Sequence, residues 1–255
     1  MSGTSALTTA NSTTDFSRVK YIYFDLDDTL INHKKAQQQA LVDVWSQFPL
    51  LQQIKPEKLI TVYGRVNDRL WEAYRNNEIN RSELKYRRIK FTFEELKLEL
   101  RGWQDIDTVY RDCYQRHWDW IADARQTFIS LSRRYSVGIM TNGFTDTQKQ
   151  KFEYLSLHRY AQHLIISEET GYLKPDPKIF EYAAKKAGYE PAELLYVGDS
   201  YLSDIVGGAR SGWKTAWYLP DNKTHPLSQE SGNPEADLIF HHFSQLENQL
   251  NGSSG

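Results

Sequence analysis

Cysteine is nearly absent: Cys113 is the single one in 255 residues. No internal disulfide can form, which fits a reducing compartment such as the cytoplasm. Cys113 lies in a helix-like stretch, Tyr-Arg-Asp-Cys-Tyr-Gln-Arg-His, and its expected role is packing, because a reactive thiol needs an electropositive setting. A dominant charge is lacking too. The 31 basic and 33 acidic residues leave a net −2, and nothing in that balance points to a nucleic acid polymer or an anionic membrane as partner. No apolar run approaches the length of a membrane helix. Residues 1–15, rich in Ser and Thr, lack the charged start and apolar core of a signal peptide. They read as a disordered leader, and 251–255 (Asn-Gly-Ser-Ser-Gly) reads as a flexible tail. There is no internal repeat.

What is present is an ordinary globular balance, 40% hydrophobic and 25% charged. Val19-Lys-Tyr-Ile-Tyr-Phe-Asp25 is β-branched and aromatic, as a buried parallel strand is. Short apolar runs follow at 137–141, 163–167, 194–198, 214–219 and 237–240, with helical patterns between them. One pattern starts near Pro177 and closes on Gly188, a suitable first turn and C-terminal cap. This alternation predicts a doubly wound parallel sheet. Residues 35–121 differ: they carry no strand pattern, and helices are expected near 34–47, 56–76, 81–100 and 105–121. Five of the seven tryptophans fall there, most of them expected in the core. Residues 220–236 are polar and turn-rich and read as a surface loop.

Parallel sheets bind ligands at the carboxyl ends of their strands, and acidic and hydroxyl residues collect at those ends here. The first strand ends in Asp25-Leu-Asp27-Asp28-Thr-Leu30, the second in Thr141-Asn142-Gly143. Gly171-Tyr-Leu-Lys174-Pro175 precedes the helix at 177. The fourth strand ends in Gly198-Asp199-Ser-Tyr-Leu-Ser-Asp204. Each piece alone occurs in ordinary turns; the four in this order do not read as chance. A phosphate monoester repels a carboxylate nucleophile, so attack needs a cation. Asp25 and Asp199 offer hard oxygen ligands suited to Mg²⁺. Lys174 adds positive charge and Thr141 a donor for phosphoryl oxygens. Asp25 can form an aspartyl-phosphate. Asp27, two residues on, can protonate the leaving oxygen and then deprotonate water, provided its pKa is raised for the first task.

The four motifs resemble the signature of the haloacid dehalogenase superfamily, over about 17–34 and 122–220. The resemblance implies a Rossmann-like α/β core over 16–34 and 122–250, with an all-helical cap inserted at 35–121. It also implies roles. Asp25 is nucleophile and metal ligand; Asp27 is acid/base, with its carbonyl on the metal. Thr141 and Asn142 hold phosphate, Lys174 bridges nucleophile and phosphate, Asp199 binds Mg²⁺, and Asp204 supports the metal or Lys174. Asp28 is expected to shape the turn. Asp27 argues against dehalogenation, since a departing halide needs no proton. The stretches 139–145, 164–171 and 174–180, with Leu70-Trp71-Glu-Ala-Tyr74 and Arg88, resemble the pyrimidine 5′-nucleotidases and N-acylneuraminate-9-phosphatases. The expected substrate is thus a small phosphorylated metabolite, nucleoside 5′-monophosphates first, handled by a monomer or homodimer. A sugar-phosphate phosphatase or phosphomutase is the alternative, and a non-catalytic binding protein on the same scaffold is the reading from another class. Arg88, Trp71 and Tyr74 are candidates for gripping the leaving group. The competing reading packs both aromatics inside the cap and puts Arg88 in a surface ion pair.

Overall fold

The computed structural model describes residues 15–99, 102–221 and 234–252. Most of the expected leader and surface loop therefore lies outside the described residues. Six parallel strands form one sheet: β1 (Tyr21–Phe24), β2 (Ser136–Thr141), β3 (His163–Ile166), β4 (Leu194–Gly198), β5 (Lys214–Tyr218) and β6 (Leu238–Phe240). Their order is β3-β2-β1-β4-β5-β6. The described helices are α1 (His33–Gln47), α2 (Pro56–Arg75), α3 (Arg81–Leu96), α4 (Trp103–Arg116), α5 (Ala124–Ser132), α6 (Thr145–Tyr154), α7 (Ser167–Thr170), α8 (Pro177–Ala187), α9 (Gly207–Arg210) and α10 (Phe243–Gly252).

The chain folds as two compact units. The first runs up to Asp25, resumes over Gln126–Asn142 and again from His158. It holds the sheet. All four residues of β1 are buried, as a central strand covered on both faces requires. Tyr21 lies opposite Ser136 on one side and Leu194 on the other. The chain lays β2 and β3 to one side of β1 and then crosses to lay β4, β5 and β6 on the other. The carboxyl ends of β1 and β4 thus sit at the topological switch point, where open α/β sheets form their crevice. One face of the sheet packs Tyr21, Tyr23, Met140, Ile165 and Tyr196 against Ile179, Phe180 and Ala183 of α8.

The second unit comprises Leu26–Arg125 and Gly143–Leu157. It contains the expected insert at 35–121 and also α6. Ala36, Ala40, Leu41 and Val44 of α1 share a core with Leu59, Val62, Tyr63, Val66 and Leu70 of α2, at spacings of three and four. Helix α3 opens with a reciprocal box, Asn80 accepting from the Glu83 backbone and Glu83 from that of Asn80; such a cap contributes about 1 kcal/mol.

Three boundaries differ from the sequence reading. Helix α3 stops at Leu96, because Lys97 turns into the left-handed region at φ 57°. Helix α4 stops at Arg116 instead of running to 121, since the chain there is drawn into pairing with the segment after β1: Asn32 N–H donates to Asp119 O, Ile121 N–H to Leu30 O, and Trp120 bridges Ile31. The expected tail begins inside α10, which continues through Asn251 and Gly252 and buries Leu250. Among the described residues no helix is long and apolar enough to cross a membrane.

Candidate active site

In the sheet unit, Asp25 follows β1 directly and its N–H donates to Val197 O of β4 at 2.8 Å. Lys174 reaches it from the segment before α8. The Lys174 ammonium is almost fully buried and donates to Asp25 Oδ1 (2.7 Å), Asp204 Oδ1 (2.7 Å) and Tyr196 Oη (2.6 Å). These use all three of its protons. Tyr196 in turn donates to Met140 O at 2.6 Å. Burial opposes the Lys174 charge, but Asp204 and Asp25 outweigh it and raise its pKa.

The Lys174 backbone is held by Asn142. The Asn142 amide donates to Lys174 O (2.8 Å), and its oxygen accepts from Lys174 N–H (2.9 Å). Asn142, expected on phosphate, thus also positions Lys174 through its carboxamide. Thr141 ends β2 and is buried.

Asp204 lies in a wide π-type turn, Tyr201–Val206. Its second oxygen accepts from Ser200 N–H at 3.0 Å. Burial pushes its carboxyl up to about 6, against the pull of Lys174. Gly198 allows this packing: a Cβ there would lie 2.2 Å from Asp204 Oδ2. Asp25, Asp199 and Asp204 each place an oxygen within 4.8 Å of the others, so Asp204 joins the acidic group that the sequence led one to expect around Asp25 and Asp199.

In the helical unit, Asp27 has both carboxylate oxygens occupied. Lys151 donates to Oδ1 (2.5 Å) and Gln148 to Oδ2 (2.8 Å), both from α6. Burial raises the Asp27 pKa, but Lys151 and then His33 more than offset it and hold the carboxyl down to about 2. This is opposite to the shift a general acid requires. Asp28 does shape the turn: it adopts φ 60°, donates from its N–H to Ile31 O and accepts from Lys34 N–H.

Trp71 stacks on Phe144 at 5.0 Å, and Tyr74 meets both rings edge-on. The Arg88 guanidinium lies between the rings of Tyr63 and Tyr110, at 5.5 and 5.4 Å. It is 3.8 Å from Asp107, and its side chain is 11% exposed. It is therefore inside the helical unit, not in a surface ion pair. Lys151, Gln148 and Tyr196 escaped the sequence reading. The available signal was a Gln and a Lys three apart on the helix that follows Thr-Asn-Gly.

The chain matches the haloacid dehalogenase-like hydrolase family over residues 22–218, and it belongs to that family. It is similar to the pyrimidine 5′-nucleotidase YjjG of Escherichia coli, 30% identical over 81% of this chain and 88% of that one. It is similar to the human N-acylneuraminate-9-phosphatase, 26% identical over 83% and 86%. Its fold resembles the crystal structure of the magnesium-bound HAD-hydrolase YfnB of Bacillus subtilis, with TM-score 0.77 and 24% identity over 92% and 99% of the two chains.

Proposed function

We infer that the chain is a magnesium-dependent phosphatase of small phosphate monoesters, nucleoside 5′-monophosphates first, acting through a phosphorylated Asp25. The observation that carries this reading is the three carboxylates of Asp25, Asp199 and Asp204 gathered within 4.8 Å of one another, with Asp25 and Asp204 both held by the Lys174 ammonium. Burial and the charge of Asp25 both work against ionising Asp204, and the three carboxylates together offer hard oxygen ligands. That is the donor set a hard divalent cation fits. Asp25 and Asp199 would hold Mg²⁺ with Asp204 behind them; when bound, the ion supplies charge that offsets repulsion between phosphate and carboxylate.

The residues then divide the work. Asp25 attacks phosphorus and takes the phosphoryl group. Lys174 fixes the orientation of Asp25 and balances developing charge, and Thr141 offers a hydroxyl to a phosphoryl oxygen. Asp27, a carboxylate at rest, takes up a proton as substrate binds, gives it to the leaving oxygen and recovers one from the water that frees phosphate. The relatives' names support phosphate ester hydrolysis, and Asp27 is the residue a dehalogenase does not need. The similarity to an N-acylneuraminate-9-phosphatase supports sugar phosphates as a second substrate class. The test is phosphate release from a panel of nucleoside monophosphates, sugar phosphates and p-nitrophenyl phosphate. Turnover should vanish with chelator and return with Mg²⁺. Absence of phosphate release from every substrate, or turnover indifferent to chelation, would overturn the reading.

A further inference from the structure

Lysine is seldom buried without a partner that repays its desolvation. The Lys151 side chain is 2% exposed and its ion partner among the described residues is Asp27. The ammonium also lies over the rings of Tyr114 (5.2 Å) and Trp118 (5.8 Å), which wall it from water. Gln148, one helical turn earlier and on the same face of α6, is buried as well and takes the other carboxylate oxygen. The turn into α6 is built for this reach: a Cβ on Gly143 would lie 2.1 Å from Gln148 Nε2. On the far side, Tyr114 is held by His33 Nδ1 at 2.5 Å.

We propose that Lys151 and Gln148 are positioning residues that fix the Asp27 carboxylate for proton transfer, with the Gln148-side oxygen doing the transfer. The proposal rests on the phosphatase reading above. The two donors are unequal. A charge-assisted bond from Lys151 is roughly twice as strong as a neutral amide bond, so Oδ2 is the oxygen released when a leaving group arrives, while Oδ1 stays anchored. The balance closes over two steps, entered with the proton that Oδ2 takes up from solvent water on its release from Gln148. In the first, the Oδ2–H bond breaks, its proton goes to the leaving oxygen, the P–O(leaving) bond breaks and the P–O(Asp25) bond forms. In the second, water's oxygen bonds to phosphorus, the P–O(Asp25) bond breaks, and the water proton returns to Oδ2.

The experiment compares the wild type with Lys151→Met, Lys151→Arg and Gln148→Met on a nucleoside monophosphate and on p-nitrophenyl phosphate, with folding checked by circular dichroism. In Lys151→Met, kcat for the nucleotide should fall about 10²-fold with KM nearly unchanged. With p-nitrophenyl phosphate, whose leaving group needs no proton, a burst of p-nitrophenol should persist ahead of slow turnover. Lys151→Arg should recover part of kcat. Gln148→Met, which keeps the ion pair, should cost about tenfold in kcat and decides the matter if Lys151→Met does not fold. Folded variants with wild-type kcat on both substrates, or equal losses in kcat for both without a burst, would overturn the positioning role. A wild type that releases no phosphate would instead sink the phosphatase reading itself.

Discussion

At Asp27, burial and charge pull the carboxyl in opposite directions and charge prevails, so the pair with Lys151 describes a resting state. Arg88 shows a similar tension. It is enclosed by two tyrosines, with Asp107 as its nearest carboxylate, and its Nε and the Asp107 Oδ1 make no hydrogen bond. Arg88→Ala should lower unfolding stability by about 3 kcal/mol, the scale for breaking a buried pair, measured by denaturant unfolding. If the guanidinium also serves the leaving group, kcat/KM for a nucleotide falls much further than for p-nitrophenyl phosphate; equal small losses leave it a purely structural residue. His163 offers a pH test away from the acidic cluster. Its Nδ1 is 3.0 Å from Tyr21 Oη, and burial lowers its pKa from 6.5. The folded chain thus binds that proton more weakly than the unfolded chain. The stability it contributes is present above 6.5 and is lost as pH falls through the lower folded value. The loss of Tm between about pH 7.5 and about pH 5 should therefore be smaller in His163→Gln. An unchanged or steeper loss would show that His163 is not part of the acid response.

At the scale of elements, the strands were legible because β1 to β6 are short, apolar and β-branched or aromatic. The helices at 33–47 and 56–75 were legible from their three- and four-residue spacing. The role of α6 was not. Its sequence, Thr-Asp-Thr-Gln-Lys-Gln-Lys-Phe-Glu-Tyr, is polar almost throughout, and a polar helix reads as a solvated one. Only the fold shows that Gln148 and Lys151 are the two turned inward. Helix α4 stops short of the expected 121 for a related reason: Trp118 and Trp120 suit a helix locally, but pairing with the segment after β1 is a tertiary effect. The end of β4 carries its own prediction. Gly198→Ala forces Asp204 or the strand end to move, and should cost about 1–3 kcal/mol in thermal or denaturant unfolding. It should also raise the Mg²⁺ concentration needed for half-maximal activity. An alanine variant with wild-type metal demand would remove Asp204 from any support of the metal.

For the whole molecule, the doubly wound sheet places the ends of β1 and β4 together at the switch point, and Asp25 and Asp199 are the residues that follow those ends. That much was readable from motif order alone. The distribution of the remaining site residues between the two compact units was not, because it depends on α6 grouping with the helical insert. The chain passes from one unit to the other immediately after Asp25, so Asp25 belongs with the sheet while Asp27 belongs with the helices that hold its carboxylate. The proposed phosphatase activity turns on covalent catalysis by Asp25. The direct measurement is rapid quenching during turnover, reduction with borohydride, and peptide mass spectrometry. An acyl phosphate at Asp25 is reduced to homoserine at position 25, and that conversion is expected there, dependent on substrate and Mg²⁺ and absent in Asp25→Asn. Full phosphatase turnover with no reduced residue, or with the reduced residue elsewhere, would contradict it.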